Sequence, residues 1–340
     1  MAEFIDPVED VNVPRRIFRD RENPLDHLSD EKLLREYRFD RRGIYEIANK
    51  LEGDLDHVTQ RNHSLPSVLQ LLIALRFFAT GSFQSVVGDV FHVHKSSVSR
   101  VIHRVAGALC RHLRQTVTFP SRVELDAIQT SFFRKAGFPR ISGVIDGTHV
   151  RIQAPRTHED QYVNRKNYHS VNVQLVCDHL CRIRNVVASW PGSTHDSRIL
   201  TESKIGRDFE AGMHGGLLLG DSGYPCRPWL MTPFMNPLNA AQERYNNALT
   251  HTRSIIERTI GQLKRRFHCL HSELRVEPPR ACRIIVASVV LFNMSKMYSE
   301  EGDDVEEEAQ EAEAEEAHEE NQQDFQRAGF VVRDAIFFEL

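Results

Sequence analysis

The hydrophobic period of this 340-residue chain changes once, near residue 137, and that change constrains the fold more than any other feature. Upstream, S-D-E-K at Ser29 opens a helix with acids in its first turn and Leu33, Leu34 and Tyr37 at helical spacing. Helical patterning continues over 40–51, 66–80, 84–91, 96–115 and 121–136. Downstream, ISGVIDGTHVRIQA (141–154), SVNVQLVCD (170–178) and RIRNVVASW (182–190) read as three strands rich in Val and Ile. A helix from Asp196 to about Gly206, a buried strand LLLG at 217–220 and helices near 253–268 and 279–298 complete the pattern. The order β-β-β-α-β-α-α predicts an α/β fold, a mixed sheet flanked by helices with its site at strand ends, preceded by an all-helical domain.

Five segments follow: an arm at 1–28 with little periodicity, the helical domain at 29–136, the α/β domain at 137–299, an acidic low-complexity stretch at 300–324 and a short apolar segment at 325–340. The formal net charge of −4 conceals a division, because residues 300–320 hold 13 acids and no Lys or Arg, while residues 1–299 hold 41 bases and 31 acids. A body with net positive charge fits a polyanionic partner such as DNA. The longest apolar stretches, Leu71–Ala79 (broken by Arg76) and Ile284–Phe292, fall short of the roughly 20 residues that cross a bilayer. The start, MAEFIDPVEDVNVPRR, lacks the apolar core of a secretory signal, and six cysteines without a C-x-x-C pair suit reduced thiols. The expected address is the nucleus, with the cytoplasm as a second location, and no membrane.

Asp146 interrupts an otherwise apolar strand in G-V-I-D-G-T-H-V, where an unpaired charge is costly. Asp221 follows LLLG directly and opens D-S-G-Y-P. Glu257 borders the stripe Ile256, Ile260, Leu263 and Phe267 of a helix, 35 residues beyond Asp221. Three carboxylates converging at strand ends repel one another unless cations intervene, and hard divalent ions with oxygen ligands are the natural solution. That describes a two-metal phosphodiester site, with Mg²⁺ or Mn²⁺ as cofactor.

The runs G-V-I-D-G-T-H-V, W-P-G-S-T-H-D-S, L-L-G-D-S-G-Y-P and R-S-I-I-E-R-T-I-G-Q-L-K-R-R-F resemble, in order, the motifs of the PIF/Harbinger transposases and the nuclease derived from them, over about residues 30–299. The resemblance implies an RNase H-like core and a DDE site that cleaves and transfers DNA strands by attack of water or a 3′-hydroxyl. It carries over Asp146, Asp221 and Glu257 as the catalytic and metal-binding acids and adds Asp196 as a further metal ligand. It also implies a Myb-like partner protein; a homo-oligomer is a further possibility. One departure is Phe292, where the family reads L-H-N.

Simpler roles compete. Asp196 is also a fit N-cap for its helix, and Arg253 or Arg258 can neutralise Glu257. His149, three residues past Asp146, turns to the opposite strand face and reads as a core or turn histidine. Asp178 reads as a hairpin turn residue. Within 84–106, two helical segments around a turn at His92–Lys95 have the form of a helix-turn-helix, with Lys95, Ser96, Ser99, Arg100, His103 and Arg104 facing DNA. The competing role for that face is the solvated side of an ordinary helix. The loop N-R-K-N-Y-H (164–169) and Lys264, Arg265 and Arg266 on the Glu257 helix are further candidates for phosphate contact. The functional expectation is a divalent-metal-dependent DNA endonuclease or strand-transferase. The alternative is a catalytically silent DNA-binding adaptor that keeps the fold.

Overall fold

The structure is a computed structural model that describes residues 23–56 and 65–298. Most of the arm, the acidic stretch and the apolar end lie outside the described residues.

Among the described residues, eight helices precede the sheet: α1 (Pro24–His27), α2 (Asp30–Tyr37), α3 (Arg41–Leu55), α4 (Ser67–Thr80), α5 (Gln84–Val90), α6 (Lys95–Arg111), α7 (Leu113–Thr116) and α8 (Arg122–Ala136). Side chains take up free N–H groups where several of them start: Ser29 for α2, Asp40 for α3, and Ser121 for α8, the last in a capping box with Glu124. α4 is apolar nearly all round, and Leu71 through Leu75 are fully buried among α2, α3, α5 and α6.

The sheet comprises β1 (Ile141–Arg151), β2 (Ser170–Cys177), β3 (Ile183–Pro191), β4 (Leu217–Leu219) and β5 (Leu230–Met231), in the order β3-β2-β1-β4-β5. β1, β2 and β3 are antiparallel, whereas β1, β4 and β5 run parallel, the RNase H-like arrangement. α9 (Glu159–Tyr162) lies between β1 and β2. Neither α9 nor β5 is visible as periodicity, because each spans only about one repeat of its pattern, too little to repeat. The helix expected from Asp196 is two, α10 (Asp196–Glu202) and α11 (Lys204–Glu210). Ser203 ends the first and caps the second, its Oγ accepting from Gly206 N at 3.0 Å. α12 (Ala240–Arg266) begins far earlier than its apolar stripe suggests, because Asn239 caps a polar first half anchored by buried Tyr245 and Leu249.

α12 and α13 (Pro278–Tyr298) cover the face of the sheet bearing Val144, Val173 and Leu175, which packs into the main core. α10 and α11 cover the other face, where Ile145, Val176 and Leu218 meet Leu200, Ile205 and Phe209. α13 is long and apolar enough to cross a membrane by length and composition, unlike the shorter stretches read from the sequence. It is packed between α6 and α7 on one side and β3 on the other, the place of a core helix. Its Asn293 side chain accepts from Ile183 N at 2.9 Å and donates to Ile183 O and Thr116 O, tying β3 to α7. Phe292 is a core side chain.

Candidate active site

Register brings the first two acids together. Parallel pairing sets Val144 of β1 opposite Leu219 of β4, so continuing that register two residues brings Asp221, just past the end of β4, beside Asp146. Asp146 lies within β1 and not at a strand end as expected, because β1 runs on to Arg151 against β2. Asp146 Oδ1 accepts from Gly147 N at 2.7 Å, and Asp221 Oδ1 accepts from Gly223 N at 3.0 Å. Burial pushes the Asp146 carboxyl up to about 7; Arg253 pulls it down, and Asp221 and then Asp196 push it further up.

Glu257 sits on α12 beside buried Ile255 and Ile256, at the edge of the core as its stripe requires. Its side chain is 60% exposed and reaches the other acids through Arg253, one turn earlier. Arg253 Nη2 is 3.5 Å from Glu257 Oε1 and 3.5 Å from Asp146 Oδ2. The neutralising role weighed for Arg253 is therefore present, and it extends to Asp146.

Asp196 does not cap α10. The cap is His195, whose Nδ1 accepts from Ser197 N at 3.3 Å. The Asp196 carboxylate turns to the sheet, where Oδ1 accepts from Asn172 Nδ2 at 2.7 Å. It rests on the backbone of β1 so closely that a Cβ on Gly147 would lie 2.5 Å from that same oxygen. His149 shares this face with Gly147, paired with Asn172 in register. It is opposite to Asp146 by alternation, as expected, but near Asp196. Burial lowers its pKa while Asp196 raises it, and its Nδ1 lies 3.0 Å from Ser170 Oγ.

Tyr224, in the D-S-G-Y-P run, was not among the expected site residues. Its ring is 4% exposed, and its hydroxyl is buried with no hydrogen-bond partner among the described residues. Burial raises its pKa well above the usual tyrosine value, and Asp196, Asp146 and Asp221 all add to the rise, so this hydroxyl lies within electrostatic reach of three carboxylates. The available signal was its position three residues after Asp221. Asn172 and Gln174 carried another signal: two amides alternating with Val and Leu in a strand buried from end to end.

Asp178 is the turn residue expected of it, its Oδ1 accepting from Leu180 N and Arg182 N while Oδ2 pairs with Arg184 at 2.7 Å. The expected DNA contacts divide by environment. α5 and α6 flank a tight turn in which a Cβ on Gly88 would meet Val93 O at 2.5 Å, and Val87, Val98 and Ile102 are buried. Lys95, Ser96 and Arg100 are exposed at the start of α6, and Ser99 is half-buried. His103 faces α13, 3.4 Å from Arg280 Nη1, and burial with Arg280 and Arg283 lowers its pKa to about 4. Arg104 donates to Gln70 Oε1 on α4 at 3.3 Å. Lys264 donates to His149 O at 3.0 Å, and burial with nearby Lys166 lowers its pKa to about 8. Arg165 and Lys166 are exposed on a loop shaped by Asn164, whose Oδ1 accepts from Lys166 N at 2.9 Å.

The donor chemistry fits a hard divalent cation. Asp146, Asp221 and Asp196 are oxygen donors in one electrostatic neighbourhood, a single guanidinium offsets them incompletely, and an unsatisfied hydroxyl feels all three. Among the described residues no three His, Cys, Asp or Glu side chains stand close enough to ligate one ion as they are arranged here.

Comparison with known proteins matches residues 145–293 to the model of the DDE superfamily endonucleases. The chain is 40% identical to "Putative nuclease HARBI1" of Homo sapiens over 276 residues, covering 80% of this chain and 79% of that protein. Identity to the Xenopus laevis protein of the same name is 35% over the same length. "Protein ALP1-like" of Arabidopsis thaliana is 28% identical over 244 residues, 66% of this chain and 59% of that protein. No solved structure matches.

Proposed function

We propose that this chain, which belongs to the DDE superfamily endonucleases in their Harbinger transposase-derived branch, is a divalent-metal-dependent nuclease that cuts DNA phosphodiester bonds. The carrying observation is the register that sets Asp146 beside Asp221, with Asp196 and the Tyr224 hydroxyl in the same electrostatic neighbourhood. Asp146, Asp221 and Asp196 would hold Mg²⁺ or Mn²⁺, and Glu257 would join them from α12. A divalent ion held there supplies Lewis acidity at the phosphate and makes water or a 3′-hydroxyl a competent nucleophile.

The protein's own groups do the rest. Strand backbones fix the first two acids, so the donors are set before substrate arrives. Arg253 balances charge between Asp146 and Glu257. Arg165, Lys166 and Lys264 place positive charge beside the His149 end of β1, suited to phosphates flanking the cut. Lys95, Ser96, Ser99 and Arg100 on the first turns of α6 form the helix-turn-helix face toward DNA. A Myb-like partner, assembly of copies and a nuclear address belong to the same proposal, on family grounds.

The Arg253 bridge favours one rival, a silent adaptor whose acids are neutralised internally. Purified protein with Mg²⁺ or Mn²⁺ and a panel of DNA substrates separates the two. Nicking by wild type that is lost in Asp146→Asn, Asp221→Asn and Glu257→Gln supports the nuclease; equal DNA binding with no cutting by any of them supports the adaptor.

A further inference from the structure

We propose that Asn172 is the positioning residue that places Asp196 in the candidate metal site, an inference that rests on the nuclease reading above. Asp196 differs from Asp146 and Asp221 in origin. Those two are fixed by adjacent strands, Asp146 within β1 and Asp221 just past the end of β4, whereas Asp196 arrives on α10 from the opposite face of the sheet. Its local alternative is strong, because an aspartate in the first turn of a helix is attracted to the free N–H groups there. His195 takes the capping role instead, and the Asp196 carboxylate is drawn to β2.

One amide group accomplishes this. Asn172 Nδ2 donates to Thr194 O at 2.9 Å and to Asp196 Oδ1 at 2.7 Å, so the residues on both sides of the His195 cap are tied to the same strand position. Both acceptors are oxygens, which fixes the NH₂ end of the amide toward them. The residue is 2% exposed, and a hydrogen bond to a carboxylate in so dry a place is of the strong, charge-assisted kind. The other end of the amide, Oδ1, is buried with no partner among the described residues. A side chain kept only for packing would not carry that unsatisfied oxygen, which costs about 1–3 kcal/mol. Gly147 completes the arrangement by leaving the space in which the carboxylate rests. The next residue on the same strand face, Gln174, is fully buried with neither amide atom partnered, so the floor beneath Asp196 is polar well beyond what packing requires.

The test is Mn²⁺ titration of the full chain by calorimetry and by loss of the free-ion electron paramagnetic resonance signal. Variants are Asn172→Ala, Asn172→Asp, Asp196→Asn and the double variant Asn172→Ala/Asp196→Asn, each checked for folding by circular dichroism. Removing the amide should weaken Mn²⁺ binding about 10- to 100-fold, the usual effect of losing a group that orients a ligand. Asn172→Asp, which keeps the shape and loses the donor, should do at least as much and carries the test if the alanine variant does not fold. Asp196→Asn should also weaken binding, and adding Asn172→Ala to it should cost nothing more. Unchanged affinity in both Asn172 variants, unchanged affinity in Asp196→Asn, or full additivity in the double variant overturns the proposal. Failure of the underlying reading looks different: wild type would take up no Mn²⁺, or Asp146→Asn would bind as tightly as wild type, and the role of Asn172 would end with it.

Discussion

Arg253 on α12 and Asp146 on β1 meet at 3.5 Å, and the same guanidinium nitrogen lies 3.5 Å from Glu257. Arg253 Nε is buried without an acceptor among the described residues, so the arginine is held there at some cost. Arg253→Gln should lower the stability of metal-free protein at neutral pH by about 1–3 kcal/mol, because the half-buried Asp146 is left without its partner. Saturating Mn²⁺ should then stabilise the variant more than it stabilises wild type. Urea unfolding with and without the ion measures both effects, and equal curves for the two proteins contradict the bridging role.

Asp146 sets the expected pH dependence of metal-free protein. Its carboxyl is pushed up to about 7 from an ordinary 3.8, so the folded state binds the proton more tightly than the unfolded chain. That contribution is fully present below about pH 4 and is lost as pH rises through 7. Asp146→Asn should remove this fall and leave the protein more stable than wild type near pH 8, by about 1–2 kcal/mol after allowance for partial solvation. Thermal unfolding from pH 5 to 8 in chelator reads it; a parallel decline in the variant assigns the dependence to another group.

Gly147 is a steric test of the Asp196 position. Gly147→Ala drives a methyl into the carboxylate, where the approach would be 2.5 Å. We expect DNA cutting to fall about 100-fold, the scale on which a misplacement of 1 Å acts. Stability should fall as well, and Asp196→Ala in the same chain should restore the stability but not the activity. Normal cutting by Gly147→Ala would show that Asp196 is free to sit elsewhere.

DNA affinity should separate exposed from committed residues of α6. Lys95→Ala and Arg100→Ala should each reduce the slope of log affinity against log salt by about 0.9 for every phosphate the native side chain neutralises. His103→Gln should leave that slope unchanged, since the ring faces Arg280. Fluorescence anisotropy over a salt series distinguishes the two groups, and an equal drop in all three variants argues that α6 acts through its fold alone.

Much of the architecture was legible because period and composition are local properties. The Val- and Ile-rich runs correspond to β1, β2 and β3, and the change of period near residue 137 marks the passage from helices to sheet. Elements governed by few residues were not legible: β5 spans two residues, and the polar first half of α12 shows no stripe, since Asn239 and two buried side chains hold it.

The sequence by itself determined which groups are available: carboxylates at Asp146, Asp196, Asp221 and Glu257, each in a setting where an unpaired acid is expensive or exposed to competition. Tertiary structure alone decided how they relate. Parallel register placed Asp221 beside Asp146, the His195 cap released Asp196 to Asn172, and the helix packed over the sheet brought Arg253 between two acids. The reason is one of range. Propensity and pattern act over a turn of helix or a few strand residues, whereas register, packing and the electrostatics of burial act between segments that only the folded chain brings into contact.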